Sequence, residues 1–132
     1  MVKPKPDGYN NAMPYLVVED VGVLIDFLKQ TFGAEEMMRV ENDRGTHAEV
    51  RIGDSVVMMG STKGSPSVSS ALIYVYVDNT DATFERAITA GGATFERPND
   101  TPYGDRRAGV RDPFGNQWWI ATRISDEVTT PS

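Results

Sequence analysis

The chain is written twice. The stretch MPYLVVEDVGVLIDFL, beginning at Met13, aligns with LIYVYVDNTDATFERA, beginning at Leu72, at an offset of 59 residues. FGAEE then falls on GGATF, and EVRIGDSVVM falls on VRDPFGNQWWI with Gly53 on Gly115, an offset of 62. The small drift is what a slightly longer loop in the second half produces. A repeat of this length implies one supersecondary unit used twice. A unit of about 60 residues is marginal alone, so each half is expected to complete the other's core.

Each half reads as strand, helix and three strands. PYLVV is a short apolar run, and Val21, Leu24, Ile25 and Leu28 then recur at helical spacing. Asp20 is placed to cap that helix and Gly33 to stop it. Strands are expected over about 36–41, 46–52 and 55–60, punctuated by ENDRG and GD. STKGSPSVSS has linker composition. The pattern then restarts: ALIYVYV as strand, DNTDATFERAITAGG as helix with Phe84, Ala87 and Ile88 on its stripe, then ATFERP, RAGVRD and QWWIAT. The expected fold is α+β: two βαβββ modules forming a curved mixed half-barrel sheet with helices outside. Residues 1–62 form the first module, 63–69 a linker, 70–124 the second module and 125–132 a tail, within one compact domain.

Composition removes several function classes. A net charge of -6 argues against nucleic acid or an anionic membrane as partner, since both call for basic patches. With no cysteine there is no disulfide, thiolate nucleophile or zinc–thiolate site. No apolar run is long enough to span a membrane, and MVKPKPDGYNN lacks the apolar core of a signal peptide. The expected location is cytoplasmic.

Alternation along the strands sorts the faces. Pro14, Leu16 and Val18 match Ile73, Val75 and Val77 and should face the helices. The opposite face receives Met13, Tyr15 and Val17, matched by Leu72, Tyr74 and Tyr76. Ala48, Val50 and Ile52 point inward, leaving His47, Glu49 and Arg51 on the other side, with Arg107, Gly109 and Arg111 in the second half. Of the adjacent tryptophans, Trp118 should pack under a helix and Trp119 should join the tyrosines. Tyr15, Tyr74, Tyr76 and Trp119, with Glu49 and Arg111, have the make-up of a small-molecule pocket. Filled barrel space or a dimer interface is the plainer account of the same rings.

His47 and Glu49 are the candidate catalytic residues. His47 reads as a general base, or as a lone ligand beside Glu49, or simply as a hydrogen-bonded residue at a strand start. Two such groups fall short of the three or four ligands a stable metal site wants. Glu49 reads as an acid/base or ligand anchor, or as one half of a structural ion pair with Arg111, its symmetry mate at the offset of 62. Arg106 and Arg107 suit an anionic ligand or a solvated loop paired with Asp105. Asp112 belongs to the DPFG turn. Met37, Met38, Met58 and Met59 form two adjacent pairs, one of each pair expected in the core. No phosphate-loop pattern precedes a helix, so no nucleotide site is argued.

The segments PYLVVEDV, DFLKQTFGAEEMMR, HAEVRIGDSVVMM and YGDRRAGVRDPFGNQWWIAT, in this order and spacing, resemble the vicinal oxygen chelate superfamily. That group includes glyoxalase I, extradiol dioxygenases, fosfomycin-resistance enzymes and bleomycin-resistance proteins. The likeness is to its PhnB-like glyoxalase/bleomycin-resistance branch and runs from about Gly8 to Thr122. One departure is FLKQTFGA, with Leu28 where that branch commonly has a tyrosine. The resemblance implies a homodimer. In metal-dependent members it implies ligands of histidine on each first strand and glutamate on each last strand. Those positions fall here on Met13, Leu72 and Trp119, and on Val57, or Met59 if the register differs. None suits a hard or borderline divalent ion, so no metal or other cofactor is expected. The resulting expectation is a small organic molecule, aromatic or polar, bound in a metal-free pocket by Tyr15, Tyr74, Tyr76, Arg107, Arg111 and Trp119. The alternatives are a glyoxalase-like lyase/isomerase or dioxygenase with an atypical or metal-free site, and a protein-interaction module with a filled interior.

Overall fold

The computed structural model describes residues 2–62 and 71–126. The expected linker and most of the expected tail lie outside the described residues. The first module contains β1 (Tyr15–Val17), α1 (Val21–Phe32), β2 (Glu35–Asn42), β3 (Gly45–Ile52) and β4 (Ser55–Thr62). The second contains β5 (Leu72–Tyr76), α2 (Thr80–Thr89), β6 (Ala93–Asp100), β7 (Asp105–Arg111) and β8 (Gln117–Arg123). The sheet is realised as two sheets of four strands, ordered β1-β4-β3-β2 and β5-β8-β7-β6. In each, the first strand runs parallel to the last and the other pairings are antiparallel. The first strand returns beside the last because the helix carries the chain back across the sheet.

Both helices are defined by their ends. The Asp20 carboxylate accepts from the Val23 amide at 3.1 Å, and Gly33 closes α1 in the left-handed region at φ 67°. Asn79 caps α2 through the Ala82 amide at 3.0 Å. The stripe of α1 is buried as expected through Val21, Leu24, Ile25 and Leu28. That of α2 differs: Thr80, Thr83, Phe84 and Ala87 are buried, whereas Ile88 is exposed. Two threonines satisfy the helical period that an apolar count alone assigned to Ile88.

One apolar cluster joins the modules. It takes Leu16, Val18 and Leu24 from the first and Ala87, Val110, Trp118 and Ile120 from the second. The helices contact each other, and Arg86 on α2 donates to the Thr31 carbonyl of α1 at 3.3 Å. Trp118 is fully buried, with its ring 5.6 Å from that of Phe32. Its Nε1–H donates to Asp112 at 3.0 Å. The same carboxylate accepts from the Phe114 and Asn116 amides and the Asn116 side chain, so Asp112 is the hub of the turn before β8. None of the described helices is long and apolar enough to cross a membrane.

Candidate functional site

Each sheet covers one face with its helix and leaves the other open. Because β1 and β5 pair in parallel with β4 and β8, equivalent positions can be read from the register. Tyr15 sits beside Met58 and Tyr74 beside Trp119. Met58 in turn sits beside Glu49, and Trp119 beside Gly109. The counterpart of Glu49 is therefore Gly109, and that of His47 is Arg107. This corrects the sequence expectation that Arg111 mirrors Glu49. It also identifies Met58 as the counterpart of Trp119, since Val57 and Met59 are buried against the helix side.

On the first sheet, Glu49 is 5% exposed. Its Oε2 lies 2.7 Å from His47 Nε2, and its Oε1 accepts the phenolic O–H of Tyr9. His47 Nδ1 lies 3.0 Å from the Tyr15 hydroxyl. Burial pushes the Glu49 carboxyl up, but the hydrogen bonds from Tyr9 and His47 outweigh it and hold it below its ordinary value. The expected Glu49–Arg111 pair does not form. Glu49 is satisfied within its own module, by Tyr9 and His47, and Arg111 lies over the Phe95 ring at 4.8 Å.

On the second sheet, Arg107 lies 4.1 Å over the Trp119 ring. It donates to Glu96 at 2.9 Å and to the Tyr103 hydroxyl at 2.7 Å. Phe95 meets Trp119 edge-on at 4.9 Å. It can do so because residue 109 is glycine, where a Cβ would run into the Phe95 ring. Nearby, Asp105 is 1% exposed and accepts from Tyr74 at 2.6 Å, Tyr76 at 2.8 Å and Arg123 at 3.3 Å. Burial raises the Asp105 carboxyl, but these donors hold it below the usual range. The Tyr74 hydroxyl is pushed up by burial and by its bond to Asp105, and that of Tyr76 chiefly by the same carboxylate. Arg106 turns elsewhere, to Asp81 at 2.7 Å and Asp100 at 3.0 Å.

The expected ring set thus divides between two sheets: Tyr15 with His47 and Glu49 on one, Tyr74, Tyr76, Trp119, Arg107 and Arg111 on the other. Tyr9 was missed, because it lies in the coil DGYNN, where no periodicity marks it. Tyr103 was missed for the same reason. A cleft of about 930 Å³ lies at the seam between the modules, bordered by Phe32, Ile73, Val75, Arg86 and Trp118. None of His47, Glu49, Arg107, Arg111 or Trp119 lines it. The His47–Glu49 and Arg107–Trp119 clusters lie outside the cleft, whereas Tyr74 and Tyr76, two of the expected ligand residues, line it.

Doubled βαβββ modules with aromatic open faces define a glyoxalase-type scaffold. The chain belongs to the glyoxalase/bleomycin resistance protein/dioxygenase superfamily, whose family model matches residues 9–120. It is 35% identical to an uncharacterised protein of Mycobacterium bovis, covering 86% of this chain and 83% of that one. An uncharacterised protein of Mycobacterium tuberculosis is also 35% identical, with 86% and 74% covered. Among solved structures, TioX from Micromonospora sp. ML1 is 26% identical at a TM-score of 0.67, covering 90% of this chain and all of that one (100%). The fosfomycin resistance protein FosX from Mesorhizobium loti shares the fold at 18% identity and a TM-score of 0.65, with 84% and 89% covered.

The metal positions implied by the superfamily resemblance carry Met13, Met58, Leu72 and Trp119. A thioether is a soft donor, and leucine and indole carbons offer none, so these residues do not fit a hard or borderline divalent ion. Among the described residues no three His, Asp or Glu side chains cluster as a ligand set.

Proposed function

We propose that this protein binds a small aromatic or polar organic molecule on its open faces without a metal, as a cytoplasmic homodimer of the PhnB-like branch. The observation that carries the reading is the second sheet. Tyr76 is 62% exposed and Tyr74 38% exposed, beside Trp119 and a guanidinium already stacked on an indole. Contiguous exposed aromatics around a cation mark a surface that meets a partner or ligand. Arg107 selects flat molecules with negative charge, and Arg111 adds a second cation on the same face. The dimer reading follows from the same exposure: a second copy could cover the faces that one chain leaves open.

The test uses anilinonaphthalene sulfonate, a flat aromatic anion. Titration should quench tryptophan emission saturably. Trp119→Phe should abolish the quenching, since Trp118 is buried, and Arg107→Met should weaken binding about tenfold. Quenching unchanged in Trp119→Phe would remove the reading. A second reading, an isomerase-type enzyme, is favoured by one specific observation: the hydrogen-bonded His47–Glu49 pair on the first sheet.

A further inference from the structure

The first sheet carries a continuous chain of hydrogen bonds that ends on the hydroxyl of a half-exposed tyrosine. Glu49, buried and ionised, takes a proton donor at each oxygen: Tyr9 at one, His47 Nε2 at the other. The Nε2 proton is fixed by that carboxylate, so the neutral ring presents Nδ1 as an acceptor. The Tyr15 hydroxyl, 3.0 Å away, is then the donor. The order is carboxylate, imidazole, hydroxyl, the arrangement by which a base draws a proton from an oxygen acid. Tyr15 is nevertheless 50% exposed. With its proton committed to His47, its oxygen offers lone pairs to whatever lies on the open face.

A second observation shows that this placement is built. Gly60 on β4 pairs with both Val17 and His47. A Cβ at residue 60 would come within 2.6 Å of the Tyr15 hydroxyl where it now stands, so a larger residue there would displace that oxygen from its place beside the imidazole. The Tyr15 and His47 rings pack with centroids 5.6 Å apart. The equivalent tyrosine of the second module, Tyr74, has none of this. Arg107 stands in place of His47, Gly109 in place of Glu49 and Ala121 in place of Gly60, and Tyr74 donates directly to a carboxylate.

We propose that Tyr15 is a binding site for an acidic hydroxyl compound, a phenol or an enol, and that it draws the ligand's proton into the His47–Glu49 pair. The ligand O–H bond breaks and its proton passes to the Tyr15 oxygen. The Tyr15 proton passes to His47 Nδ1, and the imidazolium so formed is held by the Glu49 carboxylate. The ligand remains as its oxyanion, hydrogen-bonded to Tyr15. No electrons are exchanged and no co-reactant is needed. Tyr15 and the ligand are the reacting groups, and His47 receives the proton. Glu49, Tyr9 and Gly60 are positioning residues. The proposal rests on the second reading above, through the same His47–Glu49 pair, and uses neither Trp119 nor Arg107, so loss of the Trp119 quenching leaves it standing.

The probe is 4-nitrophenol, whose yellow absorption reports the phenolate directly. It is titrated with protein in buffer held at the phenol's own ionisation midpoint. Wild type should raise the phenolate absorbance saturably above that of free nitrophenol. Tyr15→Phe should lose this rise entirely while Trp119→Phe retains it. His47→Gln should lose the rise, and Glu49→Gln should reduce it. Gly60→Ala should weaken binding about tenfold by displacing one hydrogen bond. Circular dichroism of each variant checks folding, and Tyr15→Phe, at an exposed position, keeps the test decisive if Glu49→Gln misfolds. Absorbance no higher than in buffer, or a rise that survives Tyr15→Phe, overturns the proposal.

Discussion

The two open faces stand on one repeated backbone and do different chemistry. At matching register the first has Tyr15, His47, Glu49, Met58 and Gly60, and the second has Tyr74, Arg107, Gly109, Trp119 and Ala121. On the first, the buried carboxylate lies under an imidazole, and a phenol ends the line. On the second, the carboxylate comes from Asp105 at the start of β7 and locks two tyrosines as donors. The site of Glu49 is given up to glycine, and Phe95 fills the space. The duplication therefore conserves which way side chains point while leaving their chemistry free to diverge.

The sharpest way to break this comparison is at the turn before the last strand. Asp112→Ala strips four hydrogen bonds, one of them from the buried Trp118 indole. It should cost about 3 kcal/mol or more in urea unfolding, because the donors are left unsatisfied. The matching turn of the first module, Gly53–Asp54, ends on an exposed aspartate that, among the described residues, receives only the Ser55 hydroxyl. Asp54→Ala should change stability by no more than about 0.5 kcal/mol. Similar costs at the two turns would mean that the modules share the load evenly.

Next in size is Gly109→Ala, which pushes Phe95 off Trp119. A loss of about 1–3 kcal/mol is expected, with a shift in Trp119 emission. An unchanged spectrum would show that the space can be shared and that glycine there is incidental.

The smallest effect is in acid. The carboxyls of Asp105 and Glu49 are held below their unfolded values, so the stability they contribute is complete above about pH 5 and is lost as pH falls through the lower, folded value. Asp105→Asn should flatten the acid limb of a stability–pH curve, and Glu49→Gln should do so independently. If only one of them does, only that module stores stability in a carboxylate.

Element order, caps and inward-facing strand residues were legible in the sequence because each rests on a local period or a local residue type. Asp20, Gly33, Leu16, Val50 and Trp118 are examples. Pairing between distant residues was not legible. The Glu49–Arg111 expectation carried the offset set by matching the turn glycines Gly53 and Gly115 back into the strand before them, whereas the register places Arg111 two residues past the true counterpart. Tyr9 reaches Glu49 from a coil, and no spacing rule predicts where a coil side chain lands. The division of Tyr15 from Trp119 depends on how the two sheets sit, a matter of packing between modules.

That packing has its own consequence. Hydrogen bonding between strands stops at each sheet's border, so the tilt of one face against the other is set where the helices meet. Gly92, just past α2, admits Phe27 of α1, and a methyl there would crowd both Phe27 and the Ala87 carbonyl. A single carbon there would press on the contact between the two helices while leaving every residue on the open faces intact, so the packing of the modules and the chemistry of their faces can be altered one without the other.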